Sequence, residues 1–288
     1  MTTFATAFPA AGASSTANFI PEIWSKKLQA KFYASSVLPQ ITNTDYEGEI
    51  TDAGNKVNIR TVPNITIGDY TGTVTYEDVN GEVIELLIDK AKFYGFKVSD
   101  IAKAQADIDF QNKATADAGE QMRITVETDV LANIPTAATT DHVHASVTKD
   151  TILDHLIDAG TALDELNIPT EGRFVVLPPK YTALIKKSDL KDASLSGDGT
   201  SMLRNGRIGM IDRFTVYQSN MLATANAGVD HICLAGHPKA ACFASQFVKT
   251  ETVRLESTFG DGIRGLKVYG YKVVVPDALV SLTLRTTA

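Results

Sequence analysis

Residues 43–97 constrain this chain more than any other stretch. Val57, Ile59 and Thr61 alternate with Asn58 and Arg60, the two-residue period of a strand. Ile65 and Ile67 follow, then the turn-rich run Gly68-Asp69-Tyr70-Thr71-Gly72. Val74-Thr75-Tyr76, the turn Asn80-Gly81, Val83 to Ile88 and Phe93 to Val98 continue the β pattern. The ribbon has modest apolar content and abundant acid: residues 41–100 carry 11 acidic and 5 basic side chains, a net of −6. Two or three such strands bury too little surface to be stable alone in water. The ribbon must lie on something. No helix flanking it in sequence offers a cover, which makes a neighbouring subunit a candidate.

From Ser99 the period lengthens. Ser99 or Asp100 can cap a helix in which Ile101, Ala104, Ile108, Thr115, Ala118, Met122, Val126, Val130 and Ile134 step by threes and fours. Pro135 stops it. A helix over 99–134 would be about 50 Å long, well beyond the usual three turns. Its stripe is rich in Ala and Thr and lacks sustained leucines, so a coiled coil is not expected. It reads as a spine packed along one face.

The other segments are shorter. Residues 1–20 are small, polar and aperiodic, an arm; Pro21 then opens a short helix bearing Ile23, Trp24, Leu28, Phe32 and Tyr33, ended by Leu38-Pro39. A polar loop is expected from Thr136 to Val147, then a helix from about Asp150 to Asn167 with Ile152, Leu156, Leu163 and Leu166 on one side. Phe174 to Leu177 is a buried strand, Pro178-Pro179 opens a helix through Lys187, and 188–200 is a loop. Gly206, Gly209, Phe214 to Tyr217, Ile232 to Leu234 and Ala241 to Phe247 suggest an α/β unit. The tail is β, in three runs: Thr250 to Glu256, Leu266 to Val275 and Leu279 to Leu284.

Composition narrows the function. The 288 residues carry a net charge of −7, which argues against a basic-patch nucleic-acid binder. No stretch approaches the roughly 18 apolar residues of a membrane span. No Lys or Arg precedes Lys26, so a cationic secretion signal is not expected. Two cysteines, Cys233 and Cys242, make no disulfide framework and fit a reducing cytoplasm as buried thiols. Residues 191–288 are net +3, opposite in sign to the ribbon.

Chemical motifs are weak. Gly260-Asp261-Gly262-Ile263-Arg264-Gly265 matches G-x-G-x-x-G, but Leu266 to Val275 after it is strand where a dinucleotide site needs a helix, so a turn is expected. Asp141-His142-Val143-His144 could offer two metal ligands; His155, His231 and His237 lie in unrelated contexts, and zinc needs three or four, so loop histidines are expected. Asp154/Asp158 and Asp107/Asp109 read as solvated helix charge. No nucleophile elbow, Walker loop or His-Glu-x-x-His occurs. No catalytic, cofactor or metal site is expected, and no enzyme activity.

The order of parts is that of a known family. Arm, short helix, acidic ribbon, spine helix, α/β unit and returning β tail resemble the major capsid proteins of tailed bacteriophages, with the Hong Kong 97-type fold shared by encapsulin shells. Phe19 to Ser25, Asp45 to Ile50, Val62 to Gly72, Val175 to Tyr181 and Asn205 to Asn220 also look like coat-protein sequence. The likeness covers roughly 19–285. Such proteins often carry Gly where Arg213 stands.

The resemblance implies an α+β fold in parts. These are an N-terminal arm and short helix (1–42), an extended β-loop (43–98) reaching over an adjacent subunit, a peripheral domain (99–175) with its spine helix (99–134), an axial domain (176–246), and a β tail (247–288) completing the peripheral domain. It implies hexamers and pentamers of an icosahedral viral shell enclosing double-stranded DNA, assembled in the host cytoplasm. Implied partners are a portal, decoration proteins and either a separate scaffolding protein or none, because only about 20 residues precede Pro21. Contact with packaged DNA would be non-specific, with no membrane and no cofactor. Candidate interface residues are Trp24, Asp69, Tyr70, Glu77 and Asp78, facing Arg204, Arg207, Arg213 and Arg254, with Lys249 and Lys272 nearby. Alternatives are an encapsulin-type nanocompartment and a soluble enzyme of unrecognised family. The acidic ribbon and the Asn205-Gly206-Arg207-Ile208-Gly209 run favour the viral shell.

Overall fold

The computed structural model describes residues 33–46, 56–61, 65–70, 72, 74, 76–78, 81, 83–100, 110–188, 209–256 and 259–286. In chain order its elements begin with α1 (Leu38–Ile41), β1 (Lys56–Arg60), β2 (Val83–Leu87), β3 (Lys90–Ser99), α2 (Phe110–Asn133), β4 (Thr140–Val147), α3 (Ile152–Glu165) and β5 (Phe174–Leu177). They continue with α4 (Pro179–Lys187), β6 (Met210–Ile211), β7 (Phe214–Gln218), β8 (Thr224–Ala225), β9 (Asp230–Gly236), β10 (Ala241–Arg254), β11 (Gly260–Val273) and β12 (Leu279–Thr286).

The ribbon folds back on itself: β1 and β2 pair antiparallel, Lys56 opposite Leu87 and Arg60 opposite Val83. Alternation buries Val57 and Ile59, which join Leu86, Ile88, Cys242 and Ala244 in a small core. The cover missing from the flanking sequence thus comes from β10, over 150 residues away. The third run, β3, leaves the ribbon and forms the edge of a three-stranded antiparallel sheet, β10-β11-β3.

The second region is a sheet of seven strands among the described residues, ordered β4-β12-β9-β5-β7-β6, with β8 on β9. All four residues of β5 are buried, as expected of an uninterrupted apolar run between two covered faces. α3 places Ile152, Leu156, Ala159, Gly160 and Leu163 inward. Ile152, Leu156, Ala159 and Leu163 share one core with Val126, Val130 and Leu131 of α2 and with Leu279, Val280, Leu282 and Leu284 of β12.

Several expectations change. The helix read over 21–34 lies almost wholly outside the described residues; 33–37 has no regular structure, and Leu38-Pro39 opens a helical turn instead of ending one. Residues 33–37 run beside α2: Arg123 donates to the Ala34 carbonyl at 2.7 Å, and the buried Glu127 accepts the Val37 N–H at 2.8 Å. Ser99 ends β3, and the spine helix is described over Phe110–Asn133, about 36 Å; residues 101–109 lie outside the described set. Beyond it Pro135 sits in a short 3₁₀ turn.

The polar loop of 136–147 is largely strand β4, held by parallel pairing with β12. Polar residues fit there because β4 is the edge of its sheet. The G-x-G-x-x-G run is neither cofactor loop nor turn but the first half of β11. A Cβ on Gly265 would come within 2.3 Å of the Tyr94 ring, and one on Gly260 within 2.5 Å of the Val98 carbonyl. β10 continues as one strand across the 246/247 boundary, with a register shift between Ser245 and Phe247, and β12 lies in the same sheet as β5 and β9.

Asp212 (φ 44°) and Arg213 (φ 66°) form the two-residue turn between β6 and β7. Both central positions of such a turn need positive φ. Glycine is therefore the easy residue where Arg213 stands, and the arginine costs about 1–2 kcal/mol of backbone strain.

The register of β9 on β12 sets Arg285 opposite Asp230. Arg285 donates to the Asp230 carboxylate at 2.7 Å, Asn226 adds a further bond, and together they hold its pKa down at about 2. A depressed carboxylate stabilises the fold above its unfolded pKa, near 4, and that contribution vanishes as pH falls to about 2. Urea midpoints are expected to drop across this window, with a shallower drop in Asp230→Asn. An equal slope in both proteins would remove Asp230 from the account.

Candidate subunit interface

The described residues from 65 to 78 form no strand. Val74 and Tyr76, read as strand from sequence, lack ladder partners there. Glu77 accepts the Thr66 N–H at 3.2 Å, and the Tyr70 hydroxyl donates to the Gly72 carbonyl at 3.4 Å. Ile65, Ile67, Tyr70, Val74 and Tyr76 all face solvent, Ile67 at 95% and Tyr76 at 93%. Asp69, Glu77 and Asp78 are exposed among them. Five large apolar side chains on one short segment are more than scattered surface residues explain.

The root of this projection is moored. A Cβ on Gly270 would lie 2.0 Å from the Leu87 carbonyl oxygen, so the end of β2 rests directly on the backbone of β11. Lys90, at the start of β3, pairs with Asp129 of α2 at 2.9 Å, and the buried Tyr269 donates to the same carboxylate at 2.9 Å. Desolvation would lower the Lys90 pKa, but Asp129 and Tyr271 outweigh it and raise it. For Asp129, desolvation is likewise outweighed by Lys90 and Tyr269, and the carboxyl is held below its ordinary value. Ribbon, sheet and spine meet at this cluster.

A surface hollow opens on the three-stranded sheet, lined by Phe93, Lys249, Glu251, Arg264, Gly265 and Leu266. Phe93 stands opposite Leu266 in the ladder and is 82% exposed. Lys249 and Arg264 share one anion, Glu251, with Arg264 at 2.8 Å. Lys249 and then Arg264 hold the Glu251 carboxyl below its usual range.

The residues expected at the interface divide. Trp24, Arg204 and Arg207 lie outside the described residues. Arg254 is engaged within the chain, to Asp100 at 2.9 Å and Asp261 at 3.3 Å. Arg213 reaches Asp164 at 3.5 Å. Lys272 is exposed on β11. Phe93, Arg264 and Leu266 were not singled out from sequence, although Tyr94, Phe96 and Val98 alternate inward and thereby turn Phe93 outward. Cys233 and Cys242 are buried free thiols, as expected; burial raises both, Cys242 to about 11.

A family model described as phage capsid protein matches residues 82–282. The chain belongs to the phage capsid protein family. Among solved structures, the chain is similar to one from Mycobacterium phage Che8, at 30% identity and a TM-score of 0.81, covering 92% of this chain and 97% of that one. A capsid structure of cyanophage P-SCSP1u is similar at 15% identity and a TM-score of 0.77, covering 96% of each chain. The bacteriophage PhiM1 mature capsid follows at 17% and 0.72, again covering 96% of each. The last two speak for the fold alone. No curated protein sequence matches. The fold is the Hong Kong 97-type α+β fold expected from sequence, and the protein is a major capsid protein that assembles with its own copies into a shell, its place in the virion. No helix among the described residues is long and apolar enough to cross a membrane.

Proposed function

We propose that residues 65–78 of one capsid subunit dock on the three-stranded sheet of its neighbour, at the hollow around Phe93. The observation carrying this reading is the exposed apolar run Ile65, Ile67, Tyr70, Val74 and Tyr76 on a segment whose root is firmly held. Phe93 and Leu266 offer it apolar surface. Lys249, Arg264 and Glu251 leave the hollow one positive charge in surplus, against three acids on the tip, Asp69, Glu77 and Asp78. Lys249 and Arg264 thus suit the role better than Arg254, whose guanidinium already serves two carboxylates. Exposed pairs contribute only about 0–1 kcal/mol each. They set register, while the buried apolar contacts supply the adhesion.

In the assembled particle α2 and β11 belong to the peripheral region and β6 to β9 to the axial region of hexamers and pentamers. The shell encloses double-stranded DNA without reading its sequence, in line with the net charge of −7. It assembles in the host cytoplasm with a portal and decoration proteins, and it catalyses no reaction.

Negative-stain electron microscopy with light scattering tests the reading: closed shells, or rings of five and six, are expected. A stable 31.0 kDa monomer under every salt condition would overturn it. The double variant Glu77→Lys, Asp78→Lys is expected to keep the monomer's circular dichroism and melting midpoint while shell yield falls several-fold. Normal shells from it would remove charge from the docking scheme.

A further inference from the structure

β4 is the edge strand beside β12, and its alternation sends His142 and His144 to one face. On the adjoining helix α3, His155 lies in the first turn and Asp158 follows one turn later. The His144 ring stacks on that of His155 with centroids 3.7 Å apart, and the His142 ring continues the row 6.0 Å from His144. One ligand atom each from His144, His155 and Asp158 all lie within 4.8 Å of one another. Nε2 of His142, Nε2 of His144 and both ring nitrogens of His155 are buried with no hydrogen-bond partner among the described residues.

Buried polar nitrogens are normally satisfied, so four unsatisfied ones in one cluster require a cause. Desolvation lowers the pKa of His144, with the neighbouring His155 and His142 adding to it, and desolvation lowers that of His155 as well. The Asp158 carboxylate stands beside the two rings. Two or three imidazoles and a carboxylate are the donor set of a borderline divalent transition ion, not of magnesium or calcium.

We propose that His144, His155 and Asp158 bind a divalent transition metal of the zinc class, with His142 placed to extend the donor set. Zinc–nitrogen bonds of about 2.0–2.1 Å bring tetrahedral ligands to about 3.3 Å from one another, a distance that side-chain rotations reach from the present spacing. The ion would tie an otherwise open sheet edge to the helix packed against it. His142 and His144 stand on a strand instead of a loop, and Val147 to Thr151 folds α3 back over β4, bringing His155, which sequence placed in an unrelated context, beside His144.

Calorimetric titration of the full chain with zinc chloride is expected to show one ion per chain. Zinc at 100 times its Kd is expected to raise the melting midpoint by about 5 °C or more, and magnesium at the same concentration to leave it unmoved. Asp158→Asn alters an exposed side chain and is expected to keep the fold while weakening zinc binding at least tenfold; His155→Ala weakens it further, and His237→Ala binds as the unaltered chain does. The proposal is overturned if the unaltered chain takes up no zinc, if magnesium shifts the midpoint as zinc does, or if Asp158→Asn and His155→Ala both bind with unchanged affinity.

Discussion

Gly270→Ala is expected to lower the melting midpoint by roughly 10 °C and to abolish shell formation. The added methyl group would sit 2.0 Å from the Leu87 carbonyl oxygen, 2.8 Å from the Leu87 carbonyl carbon and 2.9 Å from the Ile88 Cα. All three are backbone atoms, so no rotamer change relieves the contact. The end of β2 must lift away from β11, uncovering Leu86 and Ile88, which are 0% and 5% exposed. Overpacking against backbone costs about 3 kcal/mol or more, and in a chain of this size each kcal/mol is worth roughly 2–4 °C. The ribbon would also leave its root at a changed angle and present its tip wrongly to a neighbour. Calorimetry and electron microscopy on the same preparation read both effects. A midpoint within a degree of the unaltered protein would show that β2 does not cross β11 this closely.

Arg173→Met is the second large effect, expected to lose about 3–5 kcal/mol. Arg173 is 1% exposed. Its guanidinium donates to the carbonyls of Pro169 at 2.9 Å, Ile168 at 2.6 Å and Gly160 at 3.3 Å, and to the Asp164 carboxylate at 2.6 Å. One planar fork closes the turn between α3 and β5, where Gly172 takes a left-handed φ of 78°. Methionine matches the length of the stem but leaves those carbonyls without this donor, and unsatisfied buried acceptors are costly. Lysine restores the charge without the fork, so Arg173→Lys is expected to recover less than half of the loss. Urea denaturation measures both variants. A Met variant within 1 kcal/mol of the original would mean that other donors serve those carbonyls.

Local pattern carried much of this protein. The alternation of Val57 and Ile59, the four apolar residues Phe174 to Leu177, the prolines opening α4 and the periodicity of α3 each report a local rule, and each element stands where its rule puts it. The ordering of these parts was enough to suggest the family. Local rules failed at β4, whose polar residues become strand only because β12 lies beside them. They also failed at the glycines of β11, which resemble a phosphate loop in sequence but serve close strand crossings. Of the proposed interface, the acidic, aromatic tip stands out in sequence, but Arg254 is taken by Asp100 and Asp261, residues that sequence could not place beside it.

The chain by itself determined where backbone periods change, which stretches must be covered and which charges stand at the tip, because those properties depend on neighbours one to four residues away. Tertiary structure alone decided what covers the ribbon root, which cations are already paired, and that His155 meets His144. Each depends on strands and helices brought together from distant parts of the chain, and side-chain period carries no information about which partner a strand will choose.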